Sequence, residues 1–257
     1  MIDSHCHLDL PAFDADRDAV VARARAAGVT GILVPAIRPR TWPALRDLAR
    51  SYPELRIALG IHPQSVPELD ASERALDPET LAAALGDAVA VGECGLDGGT
   101  GERELQEQLF RVHIRAARLA KRPLVIHVLH AHDVAPRILD EERARDVGGV
   151  LHSYSGGPDL VHVYERHGMA FSFAGPVTYA NARKPVAAAR LVPDALLLAE
   201  TDAPDQAPAS HRGERSEPAY VAEIVAGLAA ARRVDPAAIA ALTTANARRI
   251  FGFPTGS

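Results

Sequence analysis

The chain begins M-I-D-S-H-C-H-L-D-L-P-A-F-D (residues 1–14), a short apolar strand pattern that runs directly into a turn without glycine. This turn distinguishes between two folds in which strands and helices alternate. An open, doubly wound sheet usually carries a glycine-rich turn after its first strand. Residues 8–14 therefore favour the other fold, a (β/α)8 TIM barrel.

Beyond this stretch, short β-type runs alternate with longer amphipathic runs, which is typical of a parallel sheet covered by helices. We predict strands at 1–7, 31–36, 56–60, 88–93, 124–127, 149–152, 169–173 and 195–200. Helices are predicted at 17–27, 43–51, 78–85, 102–120, 133–145, 159–167, 181–191, 217–233 and 236–251. No linker or repeat interrupts the pattern, so we expect one TIM-barrel domain over residues 1–257.

Composition and charge exclude several classes of protein. The chain is 47% hydrophobic and 24% charged, with a mean hydropathy of −0.03 and a formal charge of −5. It has no basic run dense enough to hold a long polyanion by bulk charge. No stretch approaches the roughly 18–20 apolar residues of a membrane span. We expect a protein with no membrane association and no obligate protein partner.

The two cysteines, Cys6 and Cys94, are too few for a disulfide framework and fit a reducing compartment. We interpret both as small buried residues and expect a cytoplasmic protein. Neither an active-site serine motif nor a cysteine–histidine pair with an orienting acid indicates nucleophilic catalysis.

Polar residues end most of the predicted strands, and in a parallel barrel the carboxyl ends of the strands carry the chemistry. Strand alternation places the first two of these residues on one face, about 6–7 Å apart. We expect all of them to converge at one barrel mouth. The residues, in chain order, are His5, His7, His62, Glu93, His127, His152 and Asp202.

Four imidazoles and two carboxylates of this set are too many ligands for a closed four-coordinate structural site. They match a pair of divalent ions about 3.5–4 Å apart that share a carboxylate. Imidazole favours Zn, and the carboxylates also admit Mg or Mn. The ligands we predict are His5, His7, Glu93, His127, His152 and Asp202.

Other histidines carry less information. His113, His162 and His167 lie on predicted helices beside charged residues, and we expect them to be solvated. His130 and His132 follow the fifth strand and are candidates to line the active-site cavity.

Seven ordered stretches show a resemblance that covers essentially the whole chain. They are D-S-H-C-H-L-D (3–9), G-I-H-P (60–63), G-E-C-G-L-D (92–97), L-V-I-H (124–127), L-H-S-Y-S-G (151–156), L-A-E-T-D-A-P (198–204) and N-A-R-R-I-F-G (246–252). With these motifs the chain resembles the TatD family of metal-dependent hydrolases, within the wider amidohydrolase-like barrels.

The resemblance implies that His5, His7 and Asp202 hold one ion, that His127 and His152 hold the other, and that Glu93 bridges them. It also implies phosphodiester hydrolysis, often as a deoxyribonuclease working from a 3′ end. In that reaction Asp202 accepts the proton of the attacking water, and His62 contacts a substrate phosphate or the leaving group.

The chain departs from the family pattern at three places. Val128-Leu129 replace a serine and an arginine, Gly98-Gly99 replace an aromatic residue, and Ser216 replaces an asparagine. Candidates to contact the substrate instead are His130, His132, Arg212 and Arg215, beside His62.

Three functions remain open at this point. The first is a two-metal phosphodiesterase that acts on DNA 3′ ends or on another phosphodiester. The second is a metal-dependent hydrolase of a different ester, a lactone or an amide, because the barrel supports many reactions. The third is a non-catalytic metal-binding protein, against which the complete set of ligands argues.

Overall fold

All eight predicted strands form, and they pair in chain order in the computed structural model, which describes residues 1–254. Every neighbouring pair is parallel. The strands are β1 (Ile2–Asp3), β2 (Gly31–Pro35), β3 (Leu55–Leu59), β4 (Ala90–Asp97), β5 (Leu124–Leu129), β6 (Gly149–Leu151), β7 (Met169–Phe173) and β8 (Leu197–Ala199). The last strand lies against the first, because the Ser4 N–H donates to the Ala199 carbonyl at 3.1 Å and a parallel bridge joins Cys6 and Ala203. The predicted (β/α)8 barrel is confirmed.

Helices occupy the connections between strands. They are α1 (Arg17–Ala26), α2 (Trp42–Ser51), α3 (Ala71–Arg74), α4 (Pro78–Ala84), α5 (Arg103–Ala120), α6 (Ala135–Glu141), α7 (Val161–Glu165), α8 (Arg183–Leu191), α9 (Val221–Arg232) and α10 (Pro236–Phe251). Within residues 1–254, no helix combines the length and the hydropathy that a membrane crossing needs.

Several predicted boundaries were wrong; the strand predicted at 88–93, for example, runs from Ala90 to Asp97. Three other differences have a clear local cause. The ladder of β1 stops at Asp3, because the next N–H groups bond in turn to β8 and β2: Ser4 to Ala199 and Cys6 to Leu33. The helix predicted at 133–145 breaks at Arg143, whose φ of 56° leaves the helical region. The helix predicted at 159–167 has a 3₁₀ turn at its start and is α-helical only over Val161–Glu165.

Helix α3 was not predicted, although the sequence carries its start signal. The Asp70 side chain accepts the N–H groups of Ser72 and Glu73, and the Glu73 side chain accepts the Asp70 N–H. This capping box satisfies backbone donors that a four-residue helix cannot satisfy internally.

The apolar core has two main parts. One layer lies between strands and helices and contains Cys6 and Cys94, so the prediction that both cysteines are buried is confirmed. The second part receives one side chain from every strand and is closed by α10 and the segment after it. We call this set the amino-end layer: Ile2, Leu33, Ala58, Ala90, Val125, Val150, Ala170, Leu198, Ala247, Phe251 and Phe253.

The expectation that His113 is solvated was wrong. His113 is fully buried on the inner face of α5, where its Nε2 accepts the Ile61 N–H at 2.9 Å and its Nδ1 lies 2.6 Å from the Leu109 carbonyl. The buried residues Gln106, Leu109, His113 and Ala117 recur at helical spacing, and this periodicity was the available signal. Burial lowers the pKa of His113 to about 4. His162 is exposed, as expected, and His167 is half-buried.

Candidate metal centre

The carboxyl ends of the strands bring one buried carboxylate into contact with five imidazoles. Glu93, on β4, is fully buried. Its Oε2 lies 3.1 Å from His5 Nε2 and 3.2 Å from His7 Nε2. Its Oε1 lies 2.7 Å from His152 Nε2, 2.9 Å from His62 Nε2 and 3.4 Å from His127 Nδ1. The two oxygens of one side chain therefore face two separate groups of imidazoles.

Asp202 joins the side of the centre that holds the first two histidines. Its Oδ1 lies 3.5 Å from His5 Nε2 and 3.9 Å from His7 Nε2. The Gln206 amide donates to the other carboxylate oxygen of Asp202 and accepts the Ser153 hydroxyl at 2.7 Å. We call His5, His7, His62, Glu93, His127, His152 and Asp202 the histidine–carboxylate cluster.

Strand alternation places the imidazoles of β5 and β6. Val125 and Val150 point into the amino-end layer, so His127 and His152, two residues later, lie on the same inward face. Their nitrogens approach to 3.0 Å. Each residue is thus placed by a local pattern, and their contact is produced by the pairing of β5 with β6.

His5 and His7 meet for a different reason, because the strand ladder has already ended at Asp3. The buried Asp3 carboxylate accepts the Thr201 N–H at 2.9 Å, the Thr201 hydroxyl at 2.5 Å and the His5 N–H at 3.3 Å. Through these hydrogen bonds Asp3 holds the end of β1 against the segment that carries Asp202. Burial is the main cause that raises the pKa of Asp3, to about 8. Sequence reasoning missed this residue, although an acid inside an apolar strand was a visible signal.

The opposite charges of the carboxylates and imidazoles in the cluster stabilise one another. Burial opposes ionisation of Glu93, but the imidazoles of His152, His62 and His5 hold its pKa well below the ordinary value. Burial also opposes charge on His7, yet its contact with the Glu93 carboxylate and the other nearby carboxylates raise the pKa of His7 to about 9. At His62 burial prevails and lowers the pKa to about 4.

The donor atoms fit divalent cations. His5 Nε2 and His7 Nε2 lie 3.2 Å apart, and a pair of imidazole nitrogens can share only one proton. Neither carboxylate oxygen of Glu93 has a hydrogen-bond partner among residues 1–254, although both are buried. Imidazole nitrogens and carboxylate oxygens in this number are ligands that Zn and similar ions accept. Three candidate ion-binding groups result: His5, His7 and Glu93; His5, His152 and Glu200; and His62, Glu93 and His127.

Two further carboxylates face the far nitrogens of the imidazoles, and sequence reasoning gave neither of them a role. Asp97 Oδ2 lies 3.3 Å from His127 Nε2, and Glu200 Oε1 lies 3.5 Å from His152 Nδ1. The contact with the His127 imidazole is the main cause that holds the pKa of Asp97 below its ordinary value. Carboxylates in this position orient an imidazole and make it a better ligand. Their signals were the acids of G-L-D at the end of β4 and of E-T-D after β8.

Of the residues predicted to contact the substrate, one lies in the cluster and the others do not. His62 belongs to the cluster, whereas Arg215 is paired with Asp16 at 2.7 Å and Arg212 lies over the Tyr179 ring at 4.7 Å. His130 is exposed, and the His132 ring is held by the Tyr164 hydroxyl at 2.7 Å. None of these last four residues lines the cavity of about 370 Å³ that contains Glu93.

Known proteins with the same pattern identify the family. The model of the family described as TatD related DNase matches residues 2–252. The chain belongs to the TatD-related family of metal-dependent hydrolases.

Individual TatD-family relatives match over nearly their whole length. The uncharacterized metal-dependent hydrolase YcfH of Escherichia coli is 35% identical over 256 residues, which are 98% of this chain and 95% of that protein. The 3′-5′ ssDNA/RNA exonuclease TatD of Citrobacter rodentium is 34% identical over 264 residues, with 98% of each chain covered. The crystal structure of the TatD homologue YjjV from Escherichia coli superimposes with a TM-score of 0.90 at 32% identity, covering 99% of this chain and 98% of that one. The TatD-family resemblance inferred from the motifs is confirmed.

Proposed function

We propose that this TatD-family hydrolase uses two divalent ions to cleave phosphodiester bonds, as a deoxyribonuclease that removes nucleotides from a 3′ end. The observation that carries the proposal is the division of the Glu93 carboxylate, with one oxygen toward His5 and His7 and the other toward His127 and His152. The exonuclease name of the Citrobacter relative supports the choice of substrate. The family match over residues 2–252 supports our further proposal that the chain acts as one domain.

In this proposal His5, His7 and Asp202 hold one ion, His127 and His152 hold the other, and Glu93 bridges them. Zn, Mg and Mn are the candidate ions. When bound, two such ions polarise a phosphate oxygen and lower the pKa of a water molecule. Asp97 and Glu200 keep the imidazoles of His127 and His152 in orientation.

Asp202 is the proposed proton acceptor. Its carboxylate lies at the edge of the cluster and lines the cavity that admits the substrate. The Gln206 amide, fixed by the Ser153 hydroxyl, presents its N–H₂ to one oxygen of Asp202 and leaves the other oxygen directed at His5. A carboxylate held in this way is ready to take a proton from water in the cavity.

His62 is the proposed contact to the phosphate or the leaving group. The Gln64 N–H donates to His62 Nδ1 at 3.1 Å, so the neutral ring carries its proton on Nε2. Because the pKa of His62 is lowered to about 4, the ring is neutral near pH 7 and acts as a hydrogen-bond donor rather than as a cation.

A second candidate function is hydrolysis of an ester, lactone or amide that carries an apolar group. A cavity of about 450 Å³ adjoins the cluster and is lined in part by Val128 and Leu129, and this observation favours a substrate with an apolar part.

A substrate screen tests both candidates. Metal-loaded protein is incubated with 5′-labelled single-stranded DNA and with a panel of lactones and acyl amides, in Mg, Mn, Zn or Co. We expect stepwise shortening of the DNA from its 3′ end, and we expect Asp202→Asn to abolish it while circular dichroism stays unchanged. No DNA cleavage with any of the four metals would contradict the nuclease proposal, and turnover of a lactone or amide instead would establish the second candidate.

A further inference from the structure

A second cavity opens beside the histidine–carboxylate cluster, on the side of β5 and α8. It has a volume of about 450 Å³ and shares the His127, Leu129, His152 and Gln206 side chains with the cavity that contains Glu93. We call it the β5–α8 cavity. A group attached to an atom held at the cluster can therefore enter it directly.

The walls of the β5–α8 cavity are largely apolar. Val128 and Leu129 follow His127 at the end of β5, and Tyr154 follows the cluster residue His152 by two positions. Two prolines, Pro176 and Pro185, also line the cavity. Apolar walls with a few polar groups are typical of sites that bind the flat, apolar part of a small molecule.

The hydroxyl groups of the cavity are already used within the protein. The Ser153 hydroxyl donates to Gln206 at 2.7 Å, the Ser155 hydroxyl donates to the Val128 carbonyl at 2.9 Å, and the Tyr154 hydroxyl donates to the Gly157 carbonyl at 2.9 Å. An apolar ring that enters the cavity consequently leaves none of these hydroxyls without a partner.

The charge of the cavity has one sign. Among residues 1–254 no carboxylate lines it, and beside the imidazoles the one cationic side chain that does is Lys184, an exposed residue at the start of α8. Lys184 forms no ion pair with residues 1–254. The cavity thus combines apolar walls with an available positive charge, which suits a ring attached to an anion.

We propose that the β5–α8 cavity binds the nucleobase of the terminal nucleotide, with Lys184 facing the anionic part of that nucleotide. This proposal rests on the proposed function, because it names the part of a phosphodiester substrate that leaves the cluster on this side. Recognition by apolar walls gives preference for the presence of a ring, with little preference for which base it is.

Binding by the metal-loaded protein tests the cavity without any cleavage of DNA, because the probes contain no phosphodiester bond. The probes are thymidine 5′-monophosphate and 2-deoxyribose 5-phosphate, which has a hydroxyl in place of the base, and the measurement is isothermal titration calorimetry. We expect the base-bearing probe to bind about 10-fold more tightly, as stacking of one base can supply. Leu129→Asn should remove most of this difference, while Lys184→Gln should weaken both probes and reduce the salt dependence of binding.

The matched control is Leu119→Asn, the same change at an exposed leucine of α5 that is 56% accessible. It should leave the binding of both probes unchanged, and thermal unfolding of all three variants shows whether they fold. Equal affinity for the two probes, no binding of either, or a folded Leu129→Asn variant with the wild-type difference would overturn the proposal.

Turnover separates this proposal from the proposed function. Single-stranded DNA ending in thymidine should be cleaved with a higher kcat/KM than the same DNA ending in an abasic tetrahydrofuran residue, and Leu129→Asn should bring the ratio toward 1. If neither DNA is cleaved but the base still strengthens binding, the nuclease proposal fails and the assignment of the cavity to the base is retained. If both are cleaved at equal rates, the nuclease proposal stands and the cavity assignment fails.

Discussion

The two ends of this barrel are built from the same eight strands and have opposite physical characters. At the amino end, one apolar side chain from every strand packs with Phe251 and Phe253 in the amino-end layer. At the carboxyl end, the alternate positions hold imidazoles and carboxylates that have mainly one another as partners. The first arrangement stabilises the fold, whereas the second collects buried charge at a cost in stability. Stability and chemistry are therefore separated along the barrel axis, and mutations at the two ends should have different effects.

The largest effect is expected from Glu93→Gln. The change keeps the size of the side chain and removes the charge that faces both groups of imidazoles. We expect metal content to fall below that of the wild type and kcat to fall by about 10³-fold or more, as for loss of a central electrostatic contact. Elemental analysis and the DNA assay measure the two quantities. Unchanged metal content would remove Glu93 as a bridge.

The opposite end should respond in stability and not in metal content. Phe251 is buried in the amino-end layer, so Phe251→Ala should lower the free energy of unfolding by about 3–5 kcal/mol through lost burial and a cavity. Urea unfolding measures the change, with Leu119→Ala at an exposed position as the control, expected within about 0.5 kcal/mol. A loss of metal without a loss of stability in Phe251→Ala would contradict the separation of the two ends.

His113 tests how a buried ionisable group behaves outside the cluster. Its folded pKa is about 4, whereas an unfolded histidine titrates near the ordinary value of about 6.5. Below pH 6.5 the unfolded chain gains a proton that the folded chain does not, so its contribution to stability is complete above pH 6.5 and is lost as pH falls toward 4. The slope is up to about 1.4 kcal/mol per pH unit, or about 3 kcal/mol in all.

Urea unfolding at pH 7, 6 and 5 measures the effect of His113 as a difference between proteins. His113→Gln should show a shallower loss of stability with falling pH than the wild type under the same metal conditions. Parallel pH dependences of the two proteins would show that His113 does not titrate as its burial requires.

The smallest effect is expected at an element that belongs to neither end. Asp70→Ala removes the cap of α3 and should cost about 1 kcal/mol, without change in metal content or DNA cleavage. Asp70→Ser is the matched control, because serine also accepts the backbone N–H groups, and it should recover most of the loss. A large loss of activity in Asp70→Ala would show that α3 is coupled to the cluster.

Much of the fold was predictable because its signals are local. Eight apolar runs separated by amphipathic stretches are read directly from residue order, and the cluster histidines stand at the ends of those runs. The errors came from interactions that residue order does not display. β1 ends early because its N–H groups bond to two different strands, and His113 is buried because α5 turns that face inward.

Tertiary structure also decided which charged side chains are free to contact a substrate and which are paired within the protein. Arg215 was a candidate to contact the substrate, but Asp16, 199 residues away in the chain, takes its guanidinium. Glu200 and Asp97 had no assigned role, and the barrel turns each toward an imidazole of the cluster. Such pairing depends on the distance between side chains in space. The spacing of residues in the sequence does not predict that distance for segments so far apart.

Residue order was enough to predict the family, the barrel and the residues that gather at one end, because strand periodicity and ordered motifs are properties of residue order. The way in which those residues share the space depends on tertiary contacts. These contacts divide the Glu93 oxygens between two groups of imidazoles, and in the described part of the chain they leave an apolar cavity beside them that one lysine, Lys184, lines. Closure of a parallel barrel brings side-chain atoms from different strand ends to within 3–4 Å of one another, and at that range side-chain direction determines the chemistry.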